Sequence, residues 1–319
     1  MLNMVLAAAI ASTAPRPIID VHLHAEGAAD YGPPGGRMCI PYEEWPARDP
    51  GRPIDDYLKD FTGAPKCSRS FAAPPTDQDI RDRSLAELDR LNIVAVTSGD
   101  RPERVEEWRR QSPRRVIPAL SFGAGALPTI ASLRLLHSQG RLKVLGEITA
   151  QYGGMAPDDP ALEPYYALAE ELDIPVAIHV GPGPAGNAYF SFPKYRAALG
   201  DPLRLEPVLI RHPKLRVYAM HAGWPLGDAM IAMLFAHPQL HVDTGIIVYA
   251  YRRSDFHAYL KRLVDAGFAK RIMFGSDQMI WPDAIGAAVD GIESAPFLTP
   301  EQKRDILYNN AARFLRLTP

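Results

Sequence analysis

Ile18-Ile19-Asp20-Val21-His22-Leu23-His24 is an apolar run that closes on two histidines one residue apart. Side chains alternate along a strand, so the run predicts a buried strand with His22 and His24 on one side and Val21 and Leu23 on the other. Two imidazoles so placed can hold one metal ion, and neutral imidazole nitrogen suits zinc and its first-row neighbours. A pair of hydrogen-bonded polar residues at a strand end is the other reading of the same stretch. The rest of the chain has to decide between them.

Outward from this run, short β-rich segments recur, each followed by a segment of helical periodicity. Strands are expected at Ile18–His24, Asn92–Ser98, Arg115–Phe122, Lys143–Thr149, Pro175–Val180, Leu215–His221, Leu240–Thr244 and Arg271–Asp277. Helices are expected near Asp77–Leu91, Arg101–Gln111, Pro128–Gln139, Asp159–Leu172, Pro202–Arg211, Pro225–Ala236, Ser254–Ala269, Pro282–Ile292 and Pro300 to about Leu315. Continuous apolar strands alternating with helices imply a parallel sheet buried on both faces. Eight such units fit an α/β (β/α)8 TIM barrel, and no glycine-rich phosphate turn follows the first strand to favour an open doubly wound sheet. The expected organisation is an N-terminal segment over residues 1–17 and one barrel domain over 18–319. Residues 25–76, rich in Pro, Gly, Arg and aromatics, are expected to be a long loop insertion after strand 1 that drapes over the barrel mouth as a lid, with a short helix at Ile54–Phe61.

In such a barrel the active site lies at the C-terminal ends of the strands. His22 and His24 end the first strand, Glu147 is late in the fourth, and His179, His221 and Asp277 end the fifth, sixth and eighth. Each is a polar residue in an apolar strand, where it is costly unless paired or coordinated. Any one of them has a structural explanation; six at the same end of one sheet read together as a metal centre. His212 and His237 fall at helix C-termini, where a partial positive charge complements the dipole. His137, His241 and His257 fall on helices or strand starts away from the mouth.

The chain has 319 residues, a formal net charge of −2 and 47% hydrophobic residues, which gives no general attraction to nucleic acid or anionic membranes. No apolar stretch approaches the roughly 20 residues needed to span a bilayer. Residues 1–14 are apolar and small, with Ala9-Ile10-Ala11 resembling a signal-peptidase site but no basic residue ahead of it. A cytoplasmic location is expected, or a periplasmic or secreted one if this segment is a signal remnant. Cys39 and Cys67, the two cysteines, can then be either free thiols or a bridge.

The motifs IIDVHLH (18–24), GE (146–147), AIHVG (177–181), MHAG (220–223), RIMFGSD (271–277) and NNAARFL (309–315) together resemble the amidohydrolase superfamily, in particular its branch of decarboxylases, hydratases and lactonases. The resemblance implies that His22, His24 and Asp277 bind metal, with His179 a further ligand in one-metal members and His221 the acid/base or polarising residue. Where two metals are used, an acidic residue on the fourth strand bridges them, the position Glu147 holds here. It thus implies one firmly bound zinc, with a second divalent ion as an alternative, and a metal-activated water that attacks a small ester, lactone or amide. Asp277 would shuttle the proton and His221 stabilise the oxyanion. Non-oxidative decarboxylation of an unsaturated or aromatic acid is the alternative reaction. Arg37, Arg52, Trp224, Tyr249, Arg252 and Trp281 are the candidate substrate-binding residues, and Asp243 is expected to orient a ligand histidine. The expected partner is a small-molecule substrate, with homo-oligomerisation left open.

Overall fold

The computed structural model describes residues 15–62, 67–123 and 125–317. Residues 1–14, on which the signal-remnant reading rests, lie outside the described residues. Strand β1 (Ile18–His24) is followed by β2 (Arg37–Tyr42), helix α1 (Ile54–Thr62), β3 (Cys67–Ala72) and α2 (Asp77–Arg90). Then come β4 (Ile93–Ser98), α3 (Pro102–Gln111), β5 (Val116–Phe122), α4 (Ile130–Ser138), β6 (Val144–Ile148), α5 (Glu163–Glu171), β7 (Val176–His179) and α6 (Glu206–Arg211). The chain continues through β8 (Val217–Met220), α7 (Gly227–Ala236), β9 (His241–Asp243), α8 (Ile247–Ala250), α9 (Arg253–Asp265), β10 (Ile272–Met273), α10 (Asp283–Glu293), α11 (Pro300–Arg304) and α12 (Asn310–Leu315).

Eight strands pair in parallel in the order β1-β4-β5-β6-β7-β8-β9-β10. The seam between the last strand and the first is closed by main chain: Val21 N donates to Phe274 O at 2.9 Å, Asp277 N to His22 O at 2.6 Å and His24 N to Gln278 O at 2.9 Å. This is a (β/α)8 TIM barrel. Its strands are shorter than expected where they approach the mouth. β8 stops at Met220, where His221 leaves the sheet with φ of 57°, and β10 stops at Met273, four residues before Asp277 turns with φ of 54°. A left-handed backbone at non-glycine residues is uncommon, and here it turns both side chains over the barrel end.

The segment that follows β1, expected as a loop, contains regular structure. β2 and β3 form an antiparallel ladder, with Cys39 opposite Ser70 and disulfide-bonded, and α1 lies between the two strands in sequence. The insertion contacts the loops that follow the barrel strands. Trp281 Nε1 donates to Gly36 O at 3.1 Å, an Arg252 guanidinium nitrogen to Glu43 O at 2.7 Å, and the Arg48 guanidinium sits 5.0 Å from the Tyr189 ring centre.

Two apolar layers hold the barrel. Leu23, Ile93, Leu145, Ile178, Val217 and Ile285 belong to the layer between strands and helices. Ile19, Val21, Val96, Val144 and Met273 fill the barrel itself with Phe314 of α12. Val21 therefore sides with Ile19 and not with Leu23, because the register of β1 against β4 slips between Asp20 and Leu23. Helix ends follow local chemistry: Thr76, Thr129 and Thr299 each accept a backbone N–H at an N-terminus, the last in a capping box with Gln302. The expected last helix is continuous but carries a π turn over Asp305–Asn309. Among the described residues, no helix is long and apolar enough to cross a membrane.

Candidate active site

β1 ends in the two histidines, and each ring is fixed from behind. His22 Nδ1 lies 3.0 Å from Asp243 Oδ2, and His24 Nδ1 lies 3.1 Å from Ser98 Oγ. A buried carboxylate against Nδ1 makes it the protonated nitrogen of His22 and leaves Nε2 as a lone pair. Asp243 is placed to do more: its Oδ1 accepts the amides of His221 at 2.9 Å and Gly245 at 2.8 Å. His22 fits into this corner because Gly245 and Gly275 have no Cβ; one built at either position would lie 2.4 Å from His22 Nδ1 or 2.8 Å from its Cβ.

With their backs fixed, His22 Nε2 and His24 Nε2 face each other at 3.1 Å. Asp277 Oδ1 lies 3.3 Å from the first and 3.1 Å from the second, and Glu147 Oε2 lies 3.7 and 3.4 Å from them. Donors arranged tetrahedrally 2.0–2.1 Å from a zinc ion would be about 3.3 Å apart. The four groups therefore fit a metal ion. Glu147 turns its other oxygen, Oε1, toward His221 Nε2 at 3.5 Å, and that oxygen is buried without a hydrogen bond among the described residues. Glu147, His179 and His221 form a second set of donor atoms, all within 4.8 Å of one another. His221 is fixed by Nδ1 against Gly245 O at 3.0 Å.

The electrostatics agree with a cation. Glu147, Asp243 and Asp277 converge on imidazoles that, when neutral, leave the cluster with excess negative charge. Burial opposes protonation of His22, but the charges of Asp277 and Asp243 outweigh it and hold its pKa well above 6.5. His24 and His221 move upward in the same way: burial is overcome for His24 chiefly by Asp277 and for His221 chiefly by Glu147. Glu147 is held well below its usual range despite burial, by the neighbouring imidazoles of His22 and His221. Asp20 is pushed up to about 7 by burial, although its Oδ1 accepts the amides of His22 and Ser276, each at 2.9 Å.

His179 differs from the other three. Its Nε2 lies 3.0 Å from the hydroxyl of Tyr152, and its buried Nδ1 has no partner among the described residues. Burial, together with the neighbouring His221, depresses its pKa to about 3, so it is neutral. Tyr152 was not singled out from sequence; its only signal is a polar aromatic just beyond the end of the fourth barrel strand. Ser98, which ends the second barrel strand, carried a similar signal.

The candidate substrate residues divide. Tyr249 is buried and donates to Asp277 O at 2.9 Å. Trp224 stacks on Tyr251 with ring centres 3.7 Å apart. Tyr249, Tyr251 and Arg252 line a cavity of about 380 Å³ with Ile40 and Pro41. Trp281 also packs against Tyr31, ring centres 5.9 Å apart. Arg37 instead binds Ser70 Oγ at 2.6 Å on the exposed hairpin, and Arg52, 62% exposed, pairs with Asp56 at 2.9 Å. Both have their partners within residues 25–76.

No curated protein sequence matches the chain. Among solved structures it is similar to an uncharacterised TIM-barrel protein from Bordetella bronchiseptica (20% identity, 94% of this chain and 99% of that one, TM-score 0.62). It is also similar to a probable 2-pyrone-4,6-dicarboxylic acid hydrolase from Acinetobacter baumannii (15% identity, 95% and 100%, TM-score 0.58). A third is 5-carboxyvanillate decarboxylase from Sphingomonas paucimobilis (16%, 95% and 99%, TM-score 0.55). At these identities the likeness carries the fold alone. The profile of the amidohydrolase family, in contrast, matches residues 19–317, which runs from the start of β1 to just beyond α12. The chain belongs to the amidohydrolase family and is an enzyme.

Proposed function

We propose that the protein is a metal-dependent hydrolase of small carbonyl compounds: esters, lactones or amides. The observation that carries this reading is the 3.1 Å approach of His22 Nε2 to His24 Nε2, with Asp277 and Glu147 oxygens beside them. Two imidazole nitrogens so close in a buried site need a shared proton or a cation between them, and a metal ion would also satisfy the two carboxylates at their side. His22, His24, Glu147 and Asp277 would hold that ion. His179 and His221, around the other oxygen of Glu147, would be the donors for a second. Nitrogen and oxygen donors in this set suit zinc. When bound, such an ion polarises a carbonyl oxygen and lowers the pKa of water from about 15.7 to about 7.

The chain's own residues would then divide the work. Asp277 accepts the proton of the attacking water as its oxygen bonds to the carbonyl carbon, and returns it to the leaving oxygen or nitrogen as that bond breaks. Where no second ion is held, a protonated His221, with Nδ1 donating to Gly245 O, presents Nε2–H to the negative charge that develops on the carbonyl oxygen. Trp224, Tyr249, Arg252 and Trp281 are the candidates for shaping the substrate pocket.

A second reading, decarboxylation of an unsaturated or aromatic acid, draws support from the rings of Tyr152, Phe192 and Tyr195, whose centres lie 4.9 and 5.7 Å from that of Tyr152. The deciding experiment is elemental analysis of protein purified without added metal, combined with a reaction panel. 2-Pyrone-4,6-dicarboxylate and simple lactones report hydrolysis, and carbon dioxide release from 5-carboxyvanillate reports decarboxylation. Turnover that survives complete removal of metal would overturn both readings.

A further inference from the structure

We infer that Tyr152 is a catalytic residue, a fixed hydrogen-bond donor to the substrate oxygen on which negative charge develops. The inference rests on the hydrolase reading and adds a residue to it.

His22, His24 and His221 each have Nδ1 against a fixed protein group, Asp243, Ser98 and Gly245 O, with Nε2 toward the cluster. His179 is arranged the other way round: Nε2 meets the Tyr152 hydroxyl at 3.0 Å, and Nδ1 has no partner among the described residues. The phenol is thus the partner of a histidine that belongs to the donor set, its oxygen 3.0 Å from that ring's Nε2. If His179 Nε2 turns to an ion, the phenol O–H loses its acceptor, and an oxygen seated at the centre is the group left to take it.

The phenol is also held in place. Tyr152 packs between Phe192 and Tyr195. Tyr195 in turn accepts the Gly183 amide through its hydroxyl at 2.8 Å. Gly183 borders the ring so closely that a Cβ there would lie 2.5 Å from Tyr152 Cε1 and 2.8 Å from its hydroxyl oxygen. A donor fixed before the reaction does not have to reorganise during it, which is the condition for a large electrostatic contribution.

The test is Tyr152→Phe, which removes one oxygen and keeps the ring in its cradle. With 2-pyrone-4,6-dicarboxylate or whichever panel compound the wild type turns over, kcat is expected to fall about 100- to 1,000-fold. KM should stay within a few-fold and bound metal should be unchanged. Independently of turnover, acetohydroxamate binding to the zinc-loaded protein, measured by calorimetry, should weaken about tenfold. Gly183→Ala, which pushes the phenol aside without removing it, should reproduce both effects. Equal hydroxamate affinity in wild type and Tyr152→Phe at full metal content overturns the inference, as does a rate loss that merely tracks lost metal. A wild type that binds no metal overturns the hydrolase reading instead.

Discussion

The two ends of this barrel are built on opposite principles. At the N-terminal end Tyr218 donates to Val21 O at 2.8 Å and meets Phe314 edge-on with ring centres 5.6 Å apart. His241 packs on the same phenylalanine at 4.6 Å and sets Nδ1 against Gln239 O at 3.1 Å. Polar atoms there are incidental to a packed plug. At the C-terminal end four imidazoles and the carboxylates of Glu147, Asp243 and Asp277 crowd together, and Glu147 Oε1 and His179 Nδ1 have no hydrogen bond among the described residues. Unmatched buried polar atoms cost stability. One end of the barrel therefore stabilises the fold, and the other holds groups in an arrangement that is unfavourable until a ligand completes it.

Substitutions at the two ends should separate these roles. Asp277→Asn removes a donor oxygen's charge and the proton acceptor together; turnover is expected to drop by about 1,000-fold or more, with the far-ultraviolet circular dichroism unchanged. A loss of fold instead of rate would place Asp277 with the plug. At the opposite end the effect should be on stability and should depend on pH. Burial, helped by the nearby Arg271 and Arg313, lowers the His241 pKa from 6.5 to about 4. The unfolded chain then binds this proton first as pH falls, so stability is expected to decline between about pH 6.5 and 4 by at most about 3 kcal/mol. His241→Phe should flatten that part of the curve in denaturant titrations followed across the window; an unaltered slope would contradict it.

Asp243→Ala should leave His22 Nδ1 and the His221 amide without their acceptor. Metal affinity is expected to fall about 10- to 100-fold in competition with a chelating dye, more than the loss in thermal stability of the metal-free protein suggests. The smallest effect is expected from Arg52→Ala. This exposed pair with Asp56 should change stability by less than about 0.5 kcal/mol and leave kinetics alone, and a clear rise in KM would restore Arg52 to the substrate site.

The barrel was legible because its strands are short apolar runs at regular spacing, and the candidate ligands because polar residues are conspicuous in such runs. Chain ends of strands were less legible. His221 and Asp277 look like strand residues, yet both have left the sheet in left-handed conformations that only the closed structure imposes. The ordering of the insertion was hidden for another reason: the ladder of β2 with β3 joins segments separated by α1, and neither has strong alternation. Arg37 and Arg52 could not be told from site arginines in sequence, since the difference lies in which neighbour reaches them first. Tyr152 escaped notice because its role comes from His179 and Gly183, both remote in the chain.

The main-chain seam that joins Asp277 to His22, and the Asp20 carboxylate that grips the amides of His22 and Ser276, make assembly of the centre inseparable from completion of the barrel. β1 contributes His22 and His24, β6 contributes Glu147, and the segment between β10 and α10 contributes Asp277. A nascent or truncated chain that ends before β10 therefore lacks one of the four candidate donors, whatever else has folded. Reactivity in this molecule should switch on only with the last structural step, so the appearance of activity during refolding can serve as a clock for ring closure.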